Sequence, residues 1–399
     1  MHYLGLDISK NLSYIAHYED QKLINEFLLT HTKQSFQKFR VYVSSLVNPI
    51  IINESTGVYS RPIYDFCTNN RFKFYELNPL EANFKTKSLR ANKTDKADAH
   101  KLVLLGSSLP SLTSKHQNRE LYDELKEYAR FYLELEKQEN VLKVQLLETM
   151  HQTFPFFEKL FKNRYSTISL NLAHVFPHAS MVSDLTKEEI TEVISNASLK
   201  GMSAIKIEKY GDKLIHLANE SFPCVSKDHF LVKKVRFVAK SLLHLQEERK
   251  HYSQEMINLA QQLPEFVILL SIPGFGRLTT ALFIGELGDI RRFSSHKKLN
   301  AYVGIDIRRY QSGQSHYKDT INRRGNKKAR KLLYLIVLNI IRGQSRFRNH
   351  INDYYYKLKS QPYGKPHKTA IVACINKLLK TIHYLIMNNC TYGYEMSPH

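Results

Sequence analysis

The stretch MHYLGLDISKNLSYIAHYEDQKLINEFLLT, residues 1–30, alternates apolar and polar side chains in three short runs: Tyr3 to Ile8, Leu12 to Tyr18 and Leu23 to Leu29. Glu19 and Asp20 sit at the second junction. A period of two broken by short polar turns predicts an antiparallel meander. Ser35 to Leu46 then takes helical spacing through Phe36, Phe39, Val43 and Leu46, and Pro49 to Asn53 has the unbroken apolar character of a strand buried on both faces.

Further along, Ile63 to Cys67 lies in a second predicted helix, Phe72 to Leu77 in a fifth strand and Lys96 to Leu105 in another helix. Three antiparallel strands followed by alternating helix and strand is the element order of an RNase H-like domain, and such alternation argues for an α/β sandwich in any case. From about Asn118 to Met150 the pattern becomes long charged helix, and a second such helix runs from about Val232 to Leu263. The two are expected to pair as an antiparallel coiled coil or to dimerise with another subunit. The segment between them, roughly Phe154 to Phe230, reads as helical and carries no legible role. The last part begins near Pro264 and is helical, with Leu269 to Ile284 first and Lys327 to Arg342 later. The expected fold class is therefore α/β plus α, with parts at 1–112, 113–263 and 264–399.

Four carboxylates fall at telling places in the first hundred residues. Asp7 interrupts a strand that otherwise wants burial, and Glu54 ends the apolar run Pro49 to Asn53 just before Thr56-Gly57, where the chain must turn. A carboxylate in such a setting is costly unless paired or bound to metal. Asp95 and Asp98, in Lys93-Thr94-Asp95-Lys96-Ala97-Asp98-Ala99, project from one helix face and repel unless a cation lies between them. Hard oxygen ligands in this number suit Mg²⁺ or Mn²⁺, working with substrate phosphate. Each acid also has a plainer reading: a solvated strand end for Asp7, a surface acid for Glu54, and a capping-box acid behind Asn92 for Asp95.

A second group lies near the C-terminus. Ser271-Ile272-Pro273-Gly274-Phe275-Gly276 resembles a helix-hairpin-helix turn, in which Gly274 and Gly276 let backbone N–H groups approach a phosphate; an ordinary turn between helices is the alternative. Downstream, Ile307-Arg308-Arg309-Tyr310-Gln311-Ser312-Gly313 precedes Ile321-Asn322-Arg323-Arg324-Gly325-Asn326-Lys327-Lys328. Arginines around Ser312 would lower the cost of ionising its hydroxyl beside a phosphate. In the alternative, Ser312 merely turns a loop while Arg308, Arg309, Arg323 and Arg324 hold DNA. Lys93, Asn326, Lys327 and Lys328 complete the candidate nucleic-acid contacts.

On Gly5-Leu6-Asp7-Ile8-Ser9-Lys10, Glu54-Ser55-Thr56-Gly57-Val58-Tyr59, Asn78-Pro79, the Lys93 to Ala99 segment and the Ile272 to Arg330 stretch, the chain resembles the DEDD-type insertion-sequence transposases, a bridge-RNA-guided recombinase family related to the Piv and MooV DNA invertases. The resemblance implies a RuvC-like N-terminal domain with Asp7, Glu54, Asp95 and Asp98 as metal ligands, a coiled-coil linker, and a C-terminal transposase domain supplying a catalytic serine. Ser312 matches best, with Ser315 close by. It further implies cutting and rejoining of double-stranded DNA through a covalent phosphoserine, a bridge RNA that chooses sequence, and a dimer or tetramer. The chain departs from the family in reading Ile321 to Asn326 where a serine and a lysine are usual, and in its longer middle segment.

Composition agrees with a nucleic-acid partner, since 58 Lys and Arg face 37 Asp and Glu for a formal net charge of +21. The cysteines Cys67, Cys224, Cys374 and Cys390 form no C-x-x-C pair, so neither a zinc site nor a disulfide framework is expected. No apolar run is expected to span a membrane, and the expected place is the cytoplasm, at the nucleoid. Two rival functions remain from the residues: a metal-dependent nuclease or junction resolvase acting by hydrolysis, and a non-catalytic packaging protein.

Overall fold

The structure is a computed structural model that describes residues 1–54, 57–77, 94–107, 119–198, 201–308, 311–312, 315–316 and 320–395, with backbone alone at 105–107, 308, 311–312 and 315–316. It divides into two compact units, Met1–Lys115 and His116–His399.

The first unit is a five-stranded sheet flanked by helices. Strands β1 (His2–Ser9), β2 (Leu12–Glu19) and β3 (Lys22–Thr30) form the expected antiparallel meander, and β4 (Ile50–Glu54) and β5 (Lys73–Leu77) extend it in parallel beyond β1, giving the order β3-β2-β1-β4-β5. Alternation along each strand sends Leu4, Leu6, Ile8 and Ile51 to one face, where Phe39 and Val43 of α1 (Lys33–Ser44) and Ile63, Phe66 and Cys67 of α2 (Arg61–Asn69) cover them. Tyr3, Ile50, Ile52, Tyr75 and Leu77 take the opposite face and pack on Leu102 of α3 (Asp95–Ser107). Residues of both parities are apolar in β4, which is why Pro49 to Asn53 reads as an unbroken run.

The second unit is helical. Its spine is α4 (Arg119–Thr153) packed along α9 (Phe230–Ala260). Contacts of Tyr128 with Glu255, Tyr132 with Arg249 and Glu139 with Gln246 show that the two run antiparallel within one chain. Glu139 is 2% exposed and binds Arg249 Nε at 2.9 Å and Lys143 Nζ at 2.6 Å, so a buried carboxylate fixes the register of the pair. The opaque middle segment folds as α5 (Thr167–Val175), α6 (Ser180–Ser183), α7 (Lys187–Ala197) and α8 (Ala204–Glu220), closing a core with Leu146 and Met150 of α4 and Val235, Val238 and Leu242 of α9.

The other end of the spine enters a second core with α10 (Pro264–Leu270), α11 (Arg277–Leu287), α12 (His296–Val303), α13 (Lys327–Arg342), α14 (His350–Lys359) and α15 (His367–Met387). The turn expected at Ser271 to Gly276 parts the apolar run Leu269 to Ile284 into α10 and α11; Pro273 removes a backbone donor and Gly274 takes a φ of +98°. By length and composition alone, one helix among the described residues is apolar enough to cross a membrane. Helix α15 has 21 residues with a mean hydropathy of 1.4 in its most apolar window, half of which is buried in this core through residues such as Ile371, Ile375, Leu378 and Ile382.

Candidate functional site

Register brings two of the four acids together. Gly5 lies opposite Ile52 and Leu6 opposite Asn53 on the parallel pair β1 and β4, so the next step sets Asp7 beside Glu54. Both continue the rows Tyr3-Gly5 and Ile50-Ile52, and thus belong to the face covered by α3. Asp7 and Glu54 are each half-buried.

Helix α3 is held close and in one direction. A β-carbon on Gly5 would stand 2.2 Å from the carbonyl oxygen of Ala99, so only glycine lets the helix lie on β1. At the first turn Lys96 interacts with Tyr14, the cross-strand partner of Asp7; one turn on, His100 Nδ1 lies 2.8 Å from the hydroxyl of Tyr18, the partner of Tyr3. The helix therefore runs antiparallel to β1, with its N-terminus at the Asp7 end. Asp95, Asp98 and Leu102 recur at i, i+3 and i+7, so the stripe that packs Leu102 on the sheet carries both aspartates toward the ends of β1 and β4.

A neighbouring cluster clamps this arrangement. Glu26 of β3 accepts from Lys96 Nζ, and His100 Nε2 lies 3.2 Å from its other carboxylate oxygen. The Lys96 hydrogen bond holds Glu26 below the usual carboxylate range and raises the Lys96 ammonium, while burial followed by Glu26 pushes the Tyr14 phenol up. Sequence reading passed over Glu26, Tyr18 and His100; 74 residues separate the two ends of one of these contacts, and no local pattern records it. The capping-box reading of Asp95 is corrected as well. The helix begins at Asp95, which is thus its first residue and not its third, and Thr94 Oγ1 accepts from Ala97 N at 3.2 Å as a cap; Asn92 lies outside the described residues.

Asp98 is paired with Lys101 Nζ at 2.8 Å, and among the described residues no three His, Cys, Asp or Glu side chains stand close enough to hold a metal. The donor set fits a hard cation in kind, since all four candidates are carboxylates, two at adjacent strand ends and two in the first turn of α3.

In the second unit, Ile307 pairs with Ile321, Arg308 with Thr320, Gln311 with His316 and Ser312 with Ser315. The segment that reads as a loop is thus an antiparallel ribbon, and the two candidate serines are cross-strand partners. Its base is pinned by a close backbone crossing: Gly304, with φ +77°, would place a β-carbon 2.7 Å from Gly325 N, and Gly325 would place one 2.2 Å from Tyr302 O. Arg323 N donates to Gly304 O at 3.1 Å and Arg330 Nη1 to Val303 O at 2.7 Å. Asn326 caps α13 through Lys328 N and Ala329 N, and its Nδ2 donates to Glu286 Oε2 at 2.9 Å. Glu286 was not singled out, although it lies in the stretch Thr280 to Leu287 of α11 that is buried throughout.

Arg323, Arg324, Lys327 and Lys328 are exposed around this base. Gly274 is pressed on α13, where a β-carbon would lie 2.4 Å from Ile340 Cγ1, whereas Gly276 faces open space at the N-terminus of α11. Lys93 and Arg309 lie outside the described residues, and Arg308, Ser312 and Ser315 are described by backbone only.

Residues 4–155 match the DEDD-type IS110 transposase domain and residues 267–352 match the transposase domain of the IS116/IS110/IS902 family. The pilin gene-inverting protein of Moraxella bovis is 24% identical over 398 residues, 96% of this chain and 95% of that protein. The transposase of insertion sequence element IS1111A from Coxiella burnetii is 29% identical over 155 residues, 38% of this chain and 41% of its own. The transposase of insertion sequence element IS1328 from Yersinia enterocolitica is 37% identical over 65 residues, 16% of this chain and 20% of its own.

Proposed function

Since the chain belongs to the DEDD-type transposases of the IS110 group, carrying both of that family's domains, we propose that it recombines DNA by joint action of an RNase H-like acidic site and a serine nucleophile. The observation that carries this reading is the antiparallel seating of α3 on β1, with the first turn of the helix, which bears Asp95 and Asp98, at the Asp7 end of that strand. Residues 1–112 act as the metal-binding part, 113–263 as the coiled-coil spine with its helical insert, and 264–399 as the serine-bearing part.

Asp7, Glu54, Asp95 and Asp98 would hold Mg²⁺ or Mn²⁺, which when bound neutralises phosphate charge and orients a phosphodiester. The Ser312 oxygen attacks phosphorus, a P–O bond to one strand breaks, and the released strand hydroxyl takes up a proton while the serine loses its own. Attack by an exchanged strand hydroxyl on the phosphoserine restores a phosphodiester and frees the serine, so one phosphodiester replaces another and no ATP is consumed. The exposed Arg323, Arg324, Lys327 and Lys328 grip backbone phosphates. Recombination of two duplexes calls for at least a dimer. Kinship over nearly the whole length to a gene-inverting protein, and over segments to transposases, supports rearrangement of DNA as the outcome.

An excess of positive charge without a specific base-reading motif suits a protein whose sequence choice is supplied by paired RNA. The test incubates full-length protein with Mg²⁺, element-junction DNA and the transcript flanking the element, and looks for a protein–DNA adduct that resists denaturant. The adduct is expected with wild type and absent in Ser312→Ala and Asp98→Ala. Free cut ends unchanged by Ser312→Ala would instead establish hydrolysis, and full recombination without RNA would remove the guide.

A further inference from the structure

A cavity of about 850 Å³ lies between α4, α11 and α13 of the second unit. Its walls are apolar, Val144, Leu332 and Leu335 among them, and its charged lining is three lysines, Lys137, Lys328 and Lys331, against the carboxylates of Glu136 and Glu286. Val144 and Leu335 are 55% and 45% exposed, so the cavity opens to solvent.

Glu286 lines it too and is only 2% exposed. Its Oε1 accepts no hydrogen bond from the described residues; Arg130 Nε, at 3.9 Å, is too distant to donate. A buried carboxylate oxygen lacking a donor is costly until some group supplies an N–H. The occupant that fits has a flat apolar body for the walls, an N–H edge for Glu286 and negative charge for the lysines. A second copy of the chain, at net charge +21, would be repelled by the lysines. A nucleotide has all three, provided its base is out of the stack, because a paired base keeps its faces and its N–H edge engaged.

We propose that this cavity receives one unpaired nucleotide of the DNA on which the protein acts, the base lying between α4 and α13, its N–H groups on Glu286 and its flanking phosphates on Lys137, Lys328 and Lys331. Guanine, with two adjacent N–H donors on its pairing edge, suits a carboxylate best. The proposal rests on the recombinase reading. Asn326, bonded to Glu286, is also the cap that ends the ribbon segment bearing Ser312, so a base captured here restrains the strand beside that ribbon.

The test measures binding by fluorescence anisotropy with full-length protein in EDTA, where no strand is cut. The probes are a labelled DNA duplex with a single bulged guanine, the same duplex fully paired, and an RNA duplex with the same bulge. The bulged DNA is expected to bind about tenfold tighter than the paired DNA. That preference should shrink to less than about twofold in Val144→Glu and in Leu335→Glu, both at exposed positions where the fold tolerates the change. Equal affinity of wild type for bulged and paired DNA, a preference that survives both variants, or a preference confined to the RNA bulge would overturn the proposal. Loss of the preference leaves the Ser312 adduct assay untouched, and failure of that adduct leaves the binding preference to stand, so the two readings fail separately.

Discussion

Gly5 and Ala99 meet backbone to backbone: a β-carbon on Gly5 would stand 2.2 Å from the Ala99 carbonyl oxygen and 2.7 Å from Val103 Cγ2. Since the nearer obstacle is helix backbone, α3 has to move to admit even a methyl group. Gly5→Ala is therefore expected to cost about 1–3 kcal/mol of unfolding free energy, the usual range for overpacking, and to abolish strand exchange by carrying Asp95 and Asp98 away from Asp7. Urea unfolding followed by the adduct assay checks both parts. A variant with wild-type stability and activity would mean that α3 does not sit on β1 as described.

Lys101 competes with any cation for Asp98, to which it is bound at 2.8 Å across one turn of α3. Removing the ammonium leaves the carboxylate free to bind metal, so Lys101→Ala is expected to lower the Mg²⁺ concentration that gives half-maximal activity, by roughly threefold for a partly exposed pair. Asp98→Asn should do the reverse, abolishing activity at every Mg²⁺ concentration while shifting stability by no more than about 0.5 kcal/mol. Titration of the adduct yield with Mg²⁺ distinguishes these outcomes. An unchanged midpoint in Lys101→Ala would exclude Asp98 as a ligand.

The sheet was legible because its alternation is written into single strands: Leu4, Leu6 and Ile8 point one way and Tyr3, Gly5 and Asp7 the other, and the apolar Ile50 to Asn53 can only be central. Asp7 and Glu54 stood out for the same reason, each breaking a pattern that burial demands. What clamps them was not. Glu26 and Lys96 meet across 70 residues, a contact that strand and helix periodicity do not encode. The ribbon around Ser312 escaped because its paired segments are two residues long, too short to show a period. The break between α10 and α11 was legible from Pro273, Gly274 and Gly276, which interrupt the apolar run as a turn must. The antiparallel spine was readable as an option, and its partner became clear only from Glu139, whose burial against Arg249 and Lys143 specifies one register.

His17 gives the first unit a dependence on pH. It is 2% exposed, its Nδ1 lies 2.6 Å from the Tyr42 hydroxyl and its Nε2 lies 3.1 Å from His2 Nδ1. Burial, then the neighbouring His2, lowers its pKa below the ordinary value of 6.5. Between the folded value and 6.5 the unfolded chain therefore binds more protons than the native one, and stability rises with pH across that window. Burial lowers the pKa of His31 as well, so the two act with the same sign. Urea midpoints measured in steps from about pH 5 to about pH 7.5 should climb in wild type and climb less in His17→Gln. Parallel curves for the two proteins would show that His17 titrates alike in the folded and unfolded chain.

Asn326 serves two demands at once, and its substitutions separate them. Its Oδ1 caps α13 by accepting from Lys328 N at 3.0 Å and Ala329 N at 3.1 Å, while its Nδ2 supplies a hydrogen bond to the buried Glu286 carboxylate at 2.9 Å. Asn326→Ala loses both, about 1 kcal/mol for the cap and about 2 kcal/mol for the stranded carboxylate oxygen. In a unit of this size that predicts a fall in melting temperature of roughly 6–10 °C. Asn326→Asp keeps a good cap but turns a carboxylate toward Glu286, so a pure capping role would leave it near wild type. The geometry instead predicts that it is as unstable as Asn326→Ala at neutral pH and regains stability as acid protonates one of the two like charges. Thermal melts of the two variants at neutral pH and near pH 5 decide the matter, because only repulsion at Glu286 makes the aspartate variant recover while the alanine variant does not.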